Sequence, residues 1–343
     1  MKNLVVALLL SASFAAAHAQ RRLVLIDEDG AGPGGTDQMA MLALLEAPQV
    51  QVLGITIVTG DGWRDEETLH TLRMLELTSH SDVPVAKGAQ APLIRTQEET
   101  RLLGELGGKA DWLGAWQIPP APLPEGNPSL QPIDEDAAHF LIRQVRAHPH
   151  QVTLYAGGPF TNIALALTID PGFAALTQGI VLMGGSLNPI TTDPEFASDP
   201  RHEFNFWFDP EATHIVLRAP WPSIEVTTAD VSLKAPFTRS VLGALSKSNT
   251  PAARYIAKWS KPTSYMWDEL TACAWIDPSI ITRRSTLFLD TDLSHGPSYG
   301  ETLSFTEKSR PLTLTHPASV QLDLDGPRFQ KLFVDLITHQ TSK

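Results

Sequence analysis

The sequence predicts an α/β fold: an open, mostly parallel, Rossmann-like sheet flanked by helices. Three observations predict it. Short β-rich runs alternate with helical runs, as a parallel sheet requires when each strand is followed by a crossover. Glycines and carboxylates sit at the ends of several strand-like runs, where open α/β sheets bind their ligands. The 343 residues are 43% hydrophobic, enough to bury one sizeable core. No repeat or low-complexity linker interrupts the chain, so residues 20–343 read as one domain.

The elements follow in order. Residues 1–19 read as a leader: Lys2 gives a basic start, Leu4 to Leu10 are apolar, and Ala17-His18-Ala19 is a small-x-small cleavage signal. The apolar run is too short to span a bilayer, so cleavage after Ala19 and export to the periplasm or medium are expected. Arg21 to Ile26 is strand-like and ends in Asp27-Glu28-Asp29. A glycine-rich loop, Gly30 to Gly35, leads to a helix opened by Thr36 or Asp37. Val50 to Val58 is a second strand. Leu69, Leu72, Leu75 and Leu77 mark a helix over Glu66 to Leu77, and Val83 to Ala86 is a short strand. Residues 91–132, rich in Pro and Gly and carrying Trp112 and Trp116, read as a long insertion or flap. Then come a helix over Asp136 to Ala147, a strand over Val152 to Ala156 that runs into Gly157-Gly158-Pro159, and a helix over Ile163 to Leu167. Gly179 to Met183 is a strand, 186–202 a Pro-rich loop, Ser223 to Val226 a further strand, and Ser264 to Ala274 the start of a late helix.

Composition narrows the function. A net charge of −12 lacks the basic footprint that nucleic acid requires, and gives no reason to expect an anionic membrane surface. After the leader, no stretch is long and apolar enough to cross a membrane. The single cysteine, Cys273, cannot form an internal disulfide and lies in an apolar helical run, so it reads as a buried, inert thiol. The histidines are scattered without a His-x-x-x-His pair, which argues against zinc; His202 reads as an exposed loop residue. The Gly30–Gly35 loop lacks the Lys-Ser/Thr ending of a phosphate loop, and its flanking carboxylates repel phosphate.

Those carboxylates carry the chemistry. Asp27 and Asp29 end the first strand, Asp37 starts the next helix and Asp61 follows the second strand. Chain topology brings Asp29, Asp37 and Asp61 to one rim. Clustered carboxylates repel unless a cation neutralises them, and Ca²⁺ prefers oxygen ligands in such number. The alternative is a set of helix-capping and turn aspartates with solvated heads.

The chain resembles the inosine-uridine nucleoside hydrolase family. Those enzymes open with Asp-x-Asp-Pro-Gly-x-Asp-Asp, matched here by Asp27-Glu28-Asp29-Gly30 and then Thr36-Asp37. The likeness continues through Gly54 to Asp61, Asp82-Val83-Pro84-Val85, Gly158-Pro159-Phe160-Thr161-Asn162, Met183-Gly184-Gly185, Glu203-Phe204-Asn205 and Trp267-Asp268-Glu269-Leu270-Thr271. It covers nearly all of the chain after the leader, in order. The resemblance implies a nucleoside hydrolase-like domain, a nucleoside substrate, bound Ca²⁺, and assembly as a homodimer or homotetramer. It implies that Asp29, Asp37, Asp268 and the Gly157 carbonyl hold the ion, and that Asp29 takes a proton from a water made acidic by it. The N-glycosidic bond would break through an oxocarbenium-like state. Glu203 and Asn205 would hold ribose hydroxyls, their spacing of two placing both on one face of an extended segment. Asp61 falls near the sugar or base.

Trp267 stands where many members carry a base-protonating His. This resembles a purine-preferring branch in which the base stacks on the ring and leaves with help from that contact. Trp63, Trp112 and Trp116 are candidates for a second stacking wall. Two departures bear on substrate. Three extra residues lie between Asp29 and Asp37, and Thr36 replaces an Asp that holds a ribose hydroxyl, leaving a hydroxyl able to accept one hydrogen bond. Two alternatives follow: a hydrolase of another N-glycoside or ribose compound, and a secreted binding protein without turnover.

Overall fold

A computed structural model describes residues 21–99, 122–311 and 316–339; the expected leader and both Trp112 and Trp116 lie outside them. The described strands are β1 (Arg22–Glu28), β2 (Val50–Ile57), β3 (Val85–Lys87), β4 (Val152–Ala156), β5 (Gly179–Met183), β6 (Ile224–Thr227), β7 (Ile281–Thr291), β8 (Thr302–Phe305) and β9 (Pro317–Leu324). They form a nine-stranded sheet in the order β3-β2-β1-β4-β5-β6-β9-β7-β8. From β3 to β9 neighbours run parallel; β7 is antiparallel to both β9 and β8.

The helices are α1 (Thr36–Glu46), α2 (Arg64–Thr78), α3 (Ala137–Ala147), α4 (Thr161–Ile169), α5 (Pro194–Ser198), α6 (Phe204–Phe208), α7 (Pro210–Leu217), α8 (Ala229–Ser232), α9 (Arg239–Leu245), α10 (Pro251–Trp259), α11 (Trp267–Ile276) and α12 (Gly326–Thr338). Side chains alternate across each strand, so β1 feeds two cores. Val24 and Ile26 pack with α1, α2 and α9 to α12; Leu23 and Leu25 pack with α3, α4 and α7. Burial on both faces explains the nearly continuous apolar runs of the central strands.

β1 is where the chain changes direction. It runs outward through β2 to β3, then returns to add β4 on the other side of β1. Ligands of open α/β sheets bind outside the carboxyl ends of strands at such a switch point. Asp29 follows β1 there, and Gly157 follows β4.

The central architecture is as the sequence predicts, and the C-terminal third adds to it. Residues 281–324 supply three strands that the sequence reading does not anticipate, and the Pro-rich loop at 186–202 contains the short α5. The late helix begins at Trp267; Ser264 and Tyr265 precede it, with Tyr265 bridged to Pro236. Both feet of the long insertion are anchored. Buried Arg95 donates to the Trp207 carbonyl at 2.6 Å and lies over the Trp207 ring, while Glu76 on α2 accepts from Ser129 N–H, Ser129 Oγ and Leu130 N–H at 2.6, 2.6 and 2.8 Å.

Candidate active site

Four buried carboxylates meet at the switch point. Asp29 is held in a backbone clamp: its Oδ2 accepts from Asp61 N–H at 2.7 Å. A Cβ on Gly60 would come within 2.0 Å of that oxygen, so the close approach requires glycine. Asp37 and Asp268 sit in the first turns of α1 and α11, where helix N-termini favour negative charge. Asp37 Oδ2 also accepts from Ala31 N–H at 2.5 Å. The fourth is Glu28, the last residue of β1. Oxygens of Glu28, Asp29 and Asp37 lie within 4.8 Å of one another, and the Asp268 charge acts on both Glu28 and Asp37.

The electrostatics of the cluster disfavour its charged forms unless a cation or protons neutralise them. Burial, then mutual repulsion, pushes these carboxyls well above the usual carboxylate range: Asp29 against Asp37 and Asp61, Asp37 against Asp268 and Asp61, and Asp268 against Glu269 and Asp29. Both Glu28 oxygens and Asp268 Oδ1 are buried without a hydrogen-bond partner. Orphaned buried carboxylate oxygens, all hard donors with no thiol or imidazole among them, fit a hard divalent cation.

The three extra loop residues do not displace Asp37. Gly30 and Gly34 adopt left-handed φ of 72° and 74°, turns that take up the excess. Gly34 N–H donates to Gln38 Oε1 at 2.8 Å and its carbonyl accepts from Ser260 Oγ at 2.7 Å. The loop is thereby fastened to α1 and to the end of α10.

Asp27 belongs to the opposite face of β1. Its Oδ1 accepts from Thr56 Oγ1 and from Asn162 Nδ2 at 2.5 and 2.8 Å, tying β1 to β2 and α4, and burial lifts its carboxyl to about 7. It lies outside the ligand set and braces the strand end that presents Asp29.

Glu203 and Asn205 differ from expectation. The segment 204–208 is a helix, not an extended strand, so the two side chains do not share one face. Glu203 is the helix N-cap: it accepts from Gly185 N–H at 2.6 Å, Asn205 N–H at 3.0 Å and Phe206 N–H at 3.1 Å. Asn205 Nδ2 donates to the Gly157 carbonyl and to Met183 O, the latter at 3.2 Å. Thus Asn205 orients the expected ligand carbonyl, which retains a second lone pair for an ion.

Thr36 spans two helices. Its hydroxyl donates to Glu269 Oε2 at 2.6 Å and accepts from Asp268 N–H at 3.3 Å, capping α11 from the neighbouring helix on the same face of the sheet. Only one lone pair remains for a ligand. Burial raises the Glu269 carboxyl to about 8.

The aromatic side is built around half-buried Trp267. Tyr265 and Phe196 lie 5.2 and 6.0 Å from it, centroid to centroid. Neither was among the expected partners; Trp63 is buried at the start of α2. A hollow of about 740 Å³ opens on the Tyr265 side, lined by the Gly32–Gly35 loop on one side and by Lys258, Trp259 and Tyr265 on the other, with Thr36 and exposed Asp61 at its edge; Trp267 and Phe196 are not part of its wall. Elsewhere, partly exposed His202 pairs with Asp199, and Cys273 is buried, as expected.

An acidic oxygen-donor centre beside a polar hollow with an aromatic wall defines the class of metal-assisted hydrolases. A family model described as inosine-uridine preferring nucleoside hydrolase matches residues 24–331. The chain is 32% identical over 238 residues to a probable uridine nucleosidase of Arabidopsis thaliana, covering 69% of this chain and 68% of that one. It is 35% identical over 212 residues to a pyrimidine-specific ribonucleoside hydrolase of Salmonella arizonae, covering 62% and 61%. Its fold matches the solved purine-preferring ribonucleoside hydrolase from Gardnerella vaginalis with a TM-score of 0.74 and 24% identity, over 92% of this chain and 98% of that one. The chain belongs to the inosine-uridine preferring nucleoside hydrolase family. Nucleoside hydrolases are metal-dependent ribosyl hydrolases, and the acidic cluster accords with that chemistry.

Proposed function

We propose that the protein hydrolyses purine nucleosides to free base and ribose, with Ca²⁺ held by Asp29, Asp37, Asp268 and the Gly157 carbonyl. The observation that carries this reading is the closely spaced set of buried, partly orphaned carboxylates at the switch point. When bound, the ion acidifies a water and offsets the carboxylate repulsion. Asp29, anchored by Asp61 N–H, accepts the proton of the attacking water. Asn205 fixes the Gly157 carbonyl, and Glu203 holds the turn that carries Asn205, so the pair forms the sugar-side floor. Asp61 and the free lone pair of Thr36 meet sugar hydroxyls at the rim. Trp267 stacks on the base, with Tyr265 and Phe196 behind it. Export directed by residues 1–19 belongs to the same proposal; a secreted protein beginning at Gln20 by intact mass tests it.

The decisive assay follows base release from inosine and uridine by Ca²⁺-loaded enzyme. Inosine is expected to be the better substrate by kcat/KM, and the reverse order would overturn the purine preference. Asp29→Ala is expected to lower kcat by about 10²–10⁴-fold, the usual worth of a general base, and undiminished turnover would refute that role. Trp267→Ala is expected to raise KM for inosine about tenfold, with a smaller effect on uridine.

One observation favours a second reading. The Thr36 hydroxyl proton is committed to Glu269, so the rim offers less to a ribose hydroxyl than an aspartate would. An N-glycoside with a different sugar accommodates that change. Cleavage of such a compound in preference to both nucleosides supports it.

A further inference from the structure

Glu28 has no task in the reaction as proposed, yet it lies among the groups that do. Alternation along β1 sends Asp27 and Glu28 to opposite faces. Asp27 finds two donors, Thr56 and Asn162. Glu28 turns to the face covered by α1 and α11, whose first turns bring Asp37 and Asp268. There it is fully buried, and neither carboxylate oxygen has a hydrogen-bond partner. Among the described residues no Lys, Arg or His pairs with it. The hydroxyl of Tyr155, on the same face of the neighbouring strand, is spent on the Asp268 carbonyl at 3.0 Å.

A carboxylate in this position needs a donor or a cation, because burial without either is strongly unfavourable. No donor is present, and the Glu28 oxygens lie in the same 4.8 Å set as those of Asp29 and Asp37. Its position against Gly157 points the same way. A Cβ on Gly157 would come within 2.2 Å of Glu28 Oε1, so the carboxylate rests on the peptide unit whose carbonyl is the expected backbone ligand.

We propose that Glu28 is a further carboxylate ligand of the ion, resting on the metal site proposed above. The middle position of an Asp-x-Asp pattern carries no required chemistry, and this chain has filled it with an acid that faces the ion. A Ca²⁺ shell of six to eight oxygens has room for it beside Asp29, Asp37, Asp268 and Gly157. The added charge predicts tighter binding and a shell with less water.

The test uses metal-stripped full-length protein and Glu28→Gln, which keeps the shape and removes the charge. Calorimetric titration with Ca²⁺ is expected to show Kd raised about tenfold or more. With Tb³⁺ as probe, luminescence lifetimes in H₂O and D₂O are expected to report about one more coordinated water in the variant. Thermal melting supplies a readout of opposite sign: the metal-free variant is expected to melt above the metal-free wild type, while its Ca²⁺-induced rise shrinks. Should Glu28→Gln fail to fold, Glu28→Asp withdraws the oxygens and is expected to weaken Ca²⁺ binding in the same way. Wild-type protein that binds no Ca²⁺ overturns the metal site and this assignment together. Tight binding by the wild type, loss of it in Asp37→Asn, and unchanged affinity and hydration in both Glu28 variants overturn the Glu28 assignment alone.

Discussion

Thr36 shows how one side chain can change role while keeping its place. Where the resemblance leads one to expect a sugar-binding carboxylate, the hydroxyl instead joins Glu269 to the first-turn N–H of Asp268. Thr36→Ala is expected to cost about 1 kcal/mol in denaturant unfolding, the usual worth of a lost cap. Thr36→Asp would restore the family pattern, yet it sets a second carboxylate against buried Glu269. It is expected to lower the melting temperature by several degrees above about pH 8, where both acids are charged, and a variant stabilised there would contradict the arrangement. Asp29, Asp37 and Asp268 were legible in sequence because strand ends and helix starts place them, with the family likeness supplying the last. The Thr36–Glu269 bond was not, since its partners are 233 positions apart and neither carries a local signal. Glu28 carries no such signal, because its importance depends on which face of β1 it occupies.

Elements are legible where a compact apolar run is bounded by turn residues: β1, β2, β4 and β5 are such runs, and they appear as expected. Helix α6 is only five residues long, too brief to show a period, so the spacing of Glu203 and Asn205 suggests an extended geometry that they do not have. β7 gives no strand signal because its first half, Thr282 to Ser285, is polar and largely exposed. The long insertion was legible from its composition, but not the anchors at its feet. Glu76 is one of these. Hydrogen bonds from Ser129 and Arg73 outweigh its partial burial and hold its carboxyl down at about 2. A depressed carboxyl adds stability above its ordinary range, and that stability is lost as pH falls from about 4.5 toward 2. Glu76→Gln is therefore expected to increase proteolytic cutting of the 122–132 segment at pH 7, with the difference from wild type vanishing near pH 2–3 in acid unfolding.

At the scale of the whole molecule, the acidic centre draws its carboxylates from positions as far apart as Glu28 and Asp268, so the proposed ion binding would be coupled to global stability. Metal-free protein carries carboxyls whose folded-state affinity for protons exceeds that of the unfolded chain. Its stability should fall as pH rises above about 4, because the native state must surrender protons that the unfolded state has already lost. A bound cation supports the charged forms and removes that slope. The gap in melting temperature between Ca²⁺-loaded and chelator-treated protein is expected to widen from pH 5 to pH 8; a constant gap would refute the coupling.

The fastening of the Gly30–Gly35 loop limits how its length can change. Gly34 grips Gln38 on one side and Ser260 on the other, while Asp37 must return to the acidic cluster. Deleting a single loop residue is expected to break either the grip or the return, so the loop acts as a buckle of fixed length between α1 and the end of α10.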